Sequence, residues 1–401
     1  MDALTTPLPK DWEIKTFRDI STINQGLQIP ISQRLKAPTE YAKFYITIQA
    51  LNNRKEFEYI KTYNESVVCH KDDILMTRTG NTGMVITNIE GVFHNNFFKI
   101  NFDRTLINKD FLVYFLSLEQ TQKTILKKAG TSTIPDLNHN DFYSLSIPLP
   151  PLNEQIAIAN ILSGLDRYLY NLDALIFKKE SVKKALSFEL LSQRKRLKGF
   201  NQNWQKVRLG TYKYRRGSFP QPYGNPQWYS DNGMPFVQVY DVGENFKLTQ
   251  KTKQKISKIA QPMSVFVPKN SVIITLQGTI GRVALTQYDC YCDRTILIFD
   301  NNTLNDVNKY FFVLSLFTKF EEEKRKADGS IIKTITKQTL KDFEILLPPL
   351  NEQIAIANIL SALDHEIISL KNKKRQFENI KKALNHDLMS AKIRVLKKSV
   401  L

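Results

Sequence analysis

Cysteine is scarce in this chain. The three residues, Cys69, Cys290 and Cys292, are an odd and sparse set that excludes a disulfide scaffold and suits a reducing cytoplasm. Cys290 and Cys292 form C-x-C with no second ligand pair and no nearby histidine. They read as alternate positions of a strand in "DCYCDRTILIF" rather than as metal ligands. The histidines (His70, His94, His139, His365, His386) are scattered without ligand spacing. No apolar run approaches the ~20 residues that span a bilayer. The opening "MDALTTPLPKDWEIKTF" lacks the apolar centre of a secretory signal. These absences predict a cytoplasmic protein that does not enter a membrane.

Catalytic signatures are missing too. There is no G-x-x-x-x-G-K-[ST] phosphate loop, no strand-linked G-x-G-x-x-G and no Pro-Asp…Asp/Glu-x-Lys nuclease constellation. The nearest approach is "NPQW" (Asn225–Trp228), a relative of the Asn/Asp-Pro-Pro-aromatic tetrapeptide of DNA amino-methyltransferases. Its second proline is glutamine and no glycine-rich cofactor loop accompanies it, so it reads as an ordinary turn. Acidic residues are also in deficit. Asp+Glu number 39 against 57 Lys+Arg, a net charge of +18, which points to a polyanionic partner. An anionic membrane surface is the weaker candidate, because no long amphipathic segment pairs a basic face with Trp or Phe.

What the chain does have is itself, twice. "PPLNEQIAIANILS" occupies residues 150–163 and again, without change, residues 348–361. Shifting the chain by the same 198 residues aligns "DDILMTRTGNTGMV" (72–85) with "NSVIITLQGTIGRV" (270–283), matching Thr77, Gly80 and Gly83 to Thr275, Gly278 and Gly281. With small insertions, "DWEIKTFRDI" matches "NWQKVRLGTY", "NKDFLVYFLS" matches "NKYFFVLSLF", and "AGTSTI" (129–134) matches "DGSIIKTI" (328–335). The period is too long for a solenoid; it is a tandem duplication of a module with its connector.

Each module is β-rich. Short apolar runs such as "FYITIQAL", "VVCHKDDILMT", "PFVQVYDV" and "SVIITL" are bounded by Gly, Pro, Asn and Asp. One amphipathic helix is expected over 109–129 and its counterpart over 307–327, making each module α+β and about 150 residues long. The connectors change period. Ile158, Leu162, Leu165, Leu169, Leu172 and Ile176 step by fours and threes; Lys179 and Lys183 interrupt before Leu186 and Leu190 resume. Ile356, Leu360, Leu363, Ile367, Leu370, Phe377, Leu384 and Leu388 keep the same beat around Lys374 and Lys381. A 3.5-residue spacing marks a helical seam packed on another helix. Asn153 and Asn351 are expected N-caps, with the acidic start favouring the positive helix end. Each helix would run ~45 residues, ~65 Å. Because one helix carries the chain out and the other returns it, the pair should be antiparallel, with pseudo-twofold related modules and neighbouring termini.

Residues suited to nucleic acid lie in the glycine loops and one aromatic–basic stretch. Arg78, Thr79, Asn81 and Thr82 of "TRTGNTG", with Gln277, Thr279 and Arg282 around "TLQGTIG", are types that contact phosphates or base edges. Arg215 and Arg216 in "TYKYRRGSFPQPY" are interleaved with aromatics. For the glycines themselves a tight β-turn is the better reading. The basic "SQRKRLK" and "SAKIRVLKK" fall where a helix C-terminus favours cations.

Two variable modules, each closed by Pro-Pro-Leu-x-Glu-Gln running into a heptad helix, resemble the specificity subunit of a Type I restriction–modification system. The resemblance covers the whole chain, and Pro150, Pro151, Asn153, Glu154 and Gln155, with Pro348, Pro349, Asn351, Glu352 and Gln353, carry its most specific element. It implies target-recognition domains at 1–152 and 199–350, spacer helices at 153–198 and 351–398, and double-stranded DNA read as a split, asymmetric target. It further implies no catalysis in this chain. Two modification (methyltransferase) subunits holding S-adenosylmethionine would dock at the repeated junctions, and restriction subunits using ATP and Mg would complete a nuclease. Alternatives are a Type IIB-like specificity subunit, a coiled-coil scaffold with no DNA contact, and a methyltransferase built on "NPQW".

Overall fold

The computed structural model describes residues 8–52, 57–130, 132–278, 280–326 and 337–395, which form two compact units, Met1–Ala174 with Lys371–Leu401 and Leu175–Leu370. Thr279 and the 328–335 stretch lie outside the described residues.

Each unit is α+β and repeats one topology. In the first, Ser21–Gln25, Phe97–Phe102, Ile74–Thr77 and Val85–Ile86 form a sheet in that order. A second sheet orders Tyr59–Ile60, Lys43–Ile46, Gly91–Phe93 and Val68–Cys69, and Glu13–Thr16 pairs with Ser146–Leu149. The second unit repeats this. Its sheets order Tyr214–Arg216, Ile296–Phe299, Val272–Thr275, Val283–Leu285 and then Gln254–Ile256, Tyr229–Val237, Cys290–Cys292, Val265–Val267; Gln205–Arg208 pairs with Glu344–Leu347. In both, the second sheet holds a parallel pair, Lys43–Ile46 with Gly91–Phe93 and Tyr229–Val237 with Cys290–Cys292.

The central strands explain the unbroken apolar runs. Ile74 and Met76 enter the core beneath Phe111, Leu112 and Phe142, while Leu75 enters the core shared with Tyr45 and Phe93. Val272 and Ile274 face Phe311 and Phe312, and Ile273 faces Cys290 and Cys292. A strand buried on both faces has no polar side to alternate with. The three cysteines are free and buried, and burial pushes the Cys69 thiol up to about 12, leaving an inert packing group.

Three expectations are corrected. "FYITIQAL" is not one strand, because it ends at Ile46 and Ile48–Asn52 is helical. The Thr47 hydroxyl accepts from the Ala50 amide at 3.0 Å and starts that turn. The helix expected over 109–129 is two, Lys109–Leu116 and Glu119–Ala129, with Leu118 extended between them. Gln122 Nε2 stabilises the break by donating to the Leu116 carbonyl at 2.6 Å. Its counterpart, Lys309–Lys326, is continuous. The long helices span 40 residues each, Leu152–Leu191 and Leu350–Met389. They stop short because Gln193 (φ 61°) and Ala391 (φ 55°) turn left-handed at equivalent places.

Within each unit the long-helix segments run antiparallel. In the first, Asp166 pairs with Lys381, Tyr168 with Phe377 and Asp173 with Lys374. In the second, Lys179 pairs with Glu366 and Lys183 with Asp364. Every heptad residue named above is buried or half-buried. The near-terminal Asp11 and Arg394, 383 residues apart, pair at 2.9 Å. No helix of the described residues is long and apolar enough to cross a membrane.

Helix junctions and candidate nucleic-acid interface

The repeated block is built as a fastening. The Pro151 carbonyl accepts from the amides of Glu154 (2.9 Å) and Gln155 (3.1 Å), and the Pro349 carbonyl accepts from Glu352 (2.9 Å) and Gln353 (3.1 Å). Each helix therefore begins one residue before the expected Asn153 or Asn351 cap. Proline at the cap brings a pre-set φ and its carbonyl still starts the ladder. Asn153 and Asn351 instead lie in the first turn, their side-chain oxygens accepting from Glu154 and Glu352, both at 2.9 Å.

Glu154 and Glu352, and Gln155 and Gln353, are buried. Gln155 Oε1 accepts from the Asn108 amide at 2.9 Å while its Nε2 donates to the Pro150 carbonyl at 2.8 Å; Gln353 repeats both contacts with Asn308 and Pro348 at the same distances. Asn108 and Asn308 in turn cap the helices that follow them, each accepting at 3.0 Å from Phe111 or Phe311. Glu154 accepts from Trp12 Nε1 (3.1 Å) and from Arg394 Nε (2.6 Å) and Nη2 (2.7 Å). Glu352 accepts from Trp204 Nε1 (3.2 Å) and Arg196 Nε (3.1 Å) and Nη2 (2.5 Å). Each buried carboxylate is thus neutralised by a forked guanidinium, and its bonds hold Arg394 above its ordinary pKa. These four side chains are spent inside the unit. The clamp arginines come from the stretches that read only as basic helix ends. The signal was there, since Arg196 and Arg394 are separated by the same 198 residues as Glu154 and Glu352.

The seam lysines have equally specific partners. Asp166 accepts from Lys381 and from the Tyr114 hydroxyl (2.6 Å), and Asp364 accepts from Lys183 and Tyr310. Burial, then the bond to the carboxylate, raises both phenols above their ordinary range.

The glycine loops are fixed by a buried threonine. Thr77 Oγ1 donates to the Asn81 carbonyl (2.6 Å) and accepts from the Met84 amide (2.9 Å); Thr275 Oγ1 accepts from the Arg282 amide (3.1 Å). Gly83 (φ +90°) and Gly281 (φ +77°) are left-handed, and an added Cβ would stand 3.0 Å from Ile125 Cγ2 or Phe320 Cγ. Glycine is required there for both reasons.

The candidate DNA contacts divide by how free they are. Arg78 is forked onto Asp136 at 3.1 and 2.6 Å, Thr79 bridges to Asp136, and Thr82 is buried with its hydroxyl on the Pro135 carbonyl at 2.6 Å. Arg282 donates to the Val242 carbonyl (3.2 Å) and Glu244 (2.8 Å). Asn81 (φ 57°) and Gln277 are exposed at the loop tips. Arg215 and Arg216 are exposed on an edge strand, with Arg215 donating to the Phe266 carbonyl at 3.2 Å. The registers Arg216–Leu297 and Thr275–Ile296 bring Arg216 to the same sheet end as the second glycine loop.

Known proteins share this plan. The model of the Type I restriction modification DNA specificity domain matches residues 9–182 and again 201–379. The putative Type I restriction enzyme MjaX specificity subunit of Methanocaldococcus jannaschii is 25% identical over 97% of this chain and 95% of its own. The Type I restriction–modification S subunit structure from M. genitalium superposes with a TM-score of 0.61 at 17% identity, covering 96% of this chain and 98% of that one. The HsdS subunit of Thermoanaerobacter tengcongensis gives 0.50 at 20% identity, over 97% and 99%. With two copies of the domain, each fastened by the same Glu–Arg–Trp clamp, the chain belongs to the Type I restriction–modification DNA specificity family.

Proposed function

We propose that this chain is the non-catalytic DNA-reading subunit of a Type I restriction–modification complex. Each module reads one half of a split, asymmetric duplex target, and the 40-residue helices set the gap. The observation that carries this reading is the contrast between the units, which share the Glu–Arg–Trp clamp and the exposed isoleucines beside it while their glycine-loop side chains differ. Two half-sites need different readers; two identical modification subunits need identical seats. Exposed apolar residues recur in step: Ile156 and Ile354 are each 41% exposed, and Ile161 and Ile359 are 38% and 36% exposed. Repeated, uncovered isoleucines on paired helices suit a protein partner at each junction. Helices resist shortening as a flexible linker does not, and half-sites read from one face of B-DNA lie about one turn, ~34 Å, or a multiple apart. S-adenosylmethionine, ATP and Mg belong to the modification and restriction subunits. The test is long-read detection of methylated adenine in cells expressing the complex with and without this chain. A bipartite, asymmetric motif that depends on the chain is expected; a continuous palindrome sinks the reading.

A further inference from the structure

Behind the glycine loops the two units share a backbone frame and place different side chains on it. In the first, His94 N–H donates to the Ile46 carbonyl (3.0 Å), Arg78 N–H to Asn96 (2.8 Å) and Gly26 N–H to Phe97 (3.1 Å). In the second, Asp293 N–H donates to Val237 (3.0 Å), Leu276 N–H to Thr295 (2.8 Å) and Gly217 N–H to Ile296 (2.9 Å). The glycines agree. A Cβ on Gly80 would meet Ile48 Cδ1 at 2.9 Å, and one on Gly278 would meet Val239 Cγ2 at 3.4 Å. Counting from these anchors, Gln49 corresponds to Tyr240, Asn52 to Gly243 and Asn96 to Thr295.

In the first unit this region is a pocket of about 660 Å³ whose larger polar lining side chains are Arg34, Gln49, Asn52, Glu58, His94 and Asn96. Three of these build its wall. Arg34 pairs with Glu58 at 2.9 Å and donates to the Ile29 carbonyl at 2.7 Å, while His94 Nδ1 accepts from the Asn96 backbone N–H at 3.1 Å. The other three side chains are unspent, since the carboxamides of Gln49, Asn52 and Asn96 make no hydrogen bond to any described residue. Gln49 and Asn52, three apart on the Ile48–Asn52 helix, share a face, and both are exposed.

We propose that Gln49, Asn52 and Asn96 are the base-reading side chains of the first module, and that they take adenine edges in the major groove. This rests on the DNA-reading function above. A carboxamide sets one donor beside one acceptor, the pattern that adenine N7 and N6 complement with two parallel hydrogen bonds. At the equivalent positions the second module has no carboxamide; it has Tyr240, Gly243 and Thr295, next to the exposed Arg294. The same frame therefore serves a different half-site.

The test is the methylome of a host expressing the full chain with its modification subunit, the host genome serving as the probe. Q49A, N52A and N96A should each relax one or more positions of a single half-site, with tenfold or greater loss of discrimination there. The other half-site and the gap should stay unchanged, and its retention certifies folding in the same molecule. Q49E, an acceptor without a donor, should shift preference toward cytosine rather than abolish reading. Unchanged motifs in all variants overturn the assignment, as does a uniform weakening at every site, which marks phosphate contacts. If all methylation is lost while the variant still co-purifies with the modification subunit, the assignment also fails. If the unaltered chain directs no bipartite methylation, it is the underlying function that fails instead.

Discussion

Lys381 on the second long helix donates to Asp166 on the first, and 198 residues away the same relationship recurs as Lys183 to Asp364. Both carboxylates also take a tyrosine hydroxyl, from Tyr114 and Tyr310. Removing the lysine leaves a half-buried carboxylate short of its charge partner. K183A should therefore destabilise its own unit by about 1–3 kcal/mol, and K381A by less, about 1 kcal/mol or under, because its partner Asp166 is 43% exposed and screened by water. D364N should cost less, because an amide still accepts from Tyr310. Hydrogen exchange along the helix segments of each unit checks this; equal protection in K183A and the unaltered chain would contradict it.

The Glu352 clamp should be the costlier element. Its carboxylate is 1% exposed and accepts from Arg196 and Trp204. E352A leaves a guanidinium and an indole N–H without their acceptor, a loss of about 3–5 kcal/mol. E352Q keeps one acceptor and should fall between. Denaturant unfolding followed at Trp204, with exchange at the helix start, orders the three proteins; an E352A chain as stable as the parent refutes the clamp.

What could be read beforehand followed from repetition and period. The 198-residue shift exposed the duplicated modules, and the 3.5-residue beat from Ile158 to Ile176 exposed the seam. Pairings across the fold could not be read this way. The 198-residue shift makes Arg196 and Arg394 equivalent, but nothing local says that a buried glutamate over 150 residues away is the partner of each. Lys183 looked like an interruption for the same reason. The Thr47 cap was hidden inside an apolar run, and the Gln122 side chain that stabilises a helix break was hidden inside an amphipathic one. Among the DNA candidates, residue type made Arg78 a candidate but could not show its fork onto Asp136. The carboxamides at Gln49, Asn52 and Asn96 are scattered in the chain, and only the fold gathers them.

The His94 ring makes the first unit sensitive to acid. Burial, then the nearby Arg34 charge, pushes its pKa below the ordinary 6.5. The folded state therefore keeps the ring neutral, with Nδ1 accepting from the Asn96 amide at 3.1 Å. Below pH 6.5 the unfolded chain takes up a proton that the folded unit still refuses, so the unfolded state binds more protons. The contribution is complete above about pH 6.5 and is lost as pH falls through the folded pKa. Melting curves from pH 7.5 to 5 should show a decline that is shallower in H94N; parallel declines would exclude His94 as the cause.

At one equivalent position the helix seam uses different chemistry in the two units. Tyr168 meets Phe377 with ring centroids 4.7 Å apart, while 198 residues away the corresponding residues are Glu366 and Lys179, an ion pair at 2.8 Å. Lys179 and Glu366 are 31% and 45% exposed, so water and salt screen them and the pair is worth under about 1 kcal/mol. Phe377 buries apolar area against Tyr168, and its truncation should cost about 2 kcal/mol or more. F377A should therefore lower its unit's stability more than K179A lowers the other's. Added salt should narrow the difference between K179A and the parent while leaving the F377A deficit unchanged. Local exchange at low and at 0.5 M salt measures both, and a larger K179A effect at both salts would reverse the assignment of which contact holds the seam.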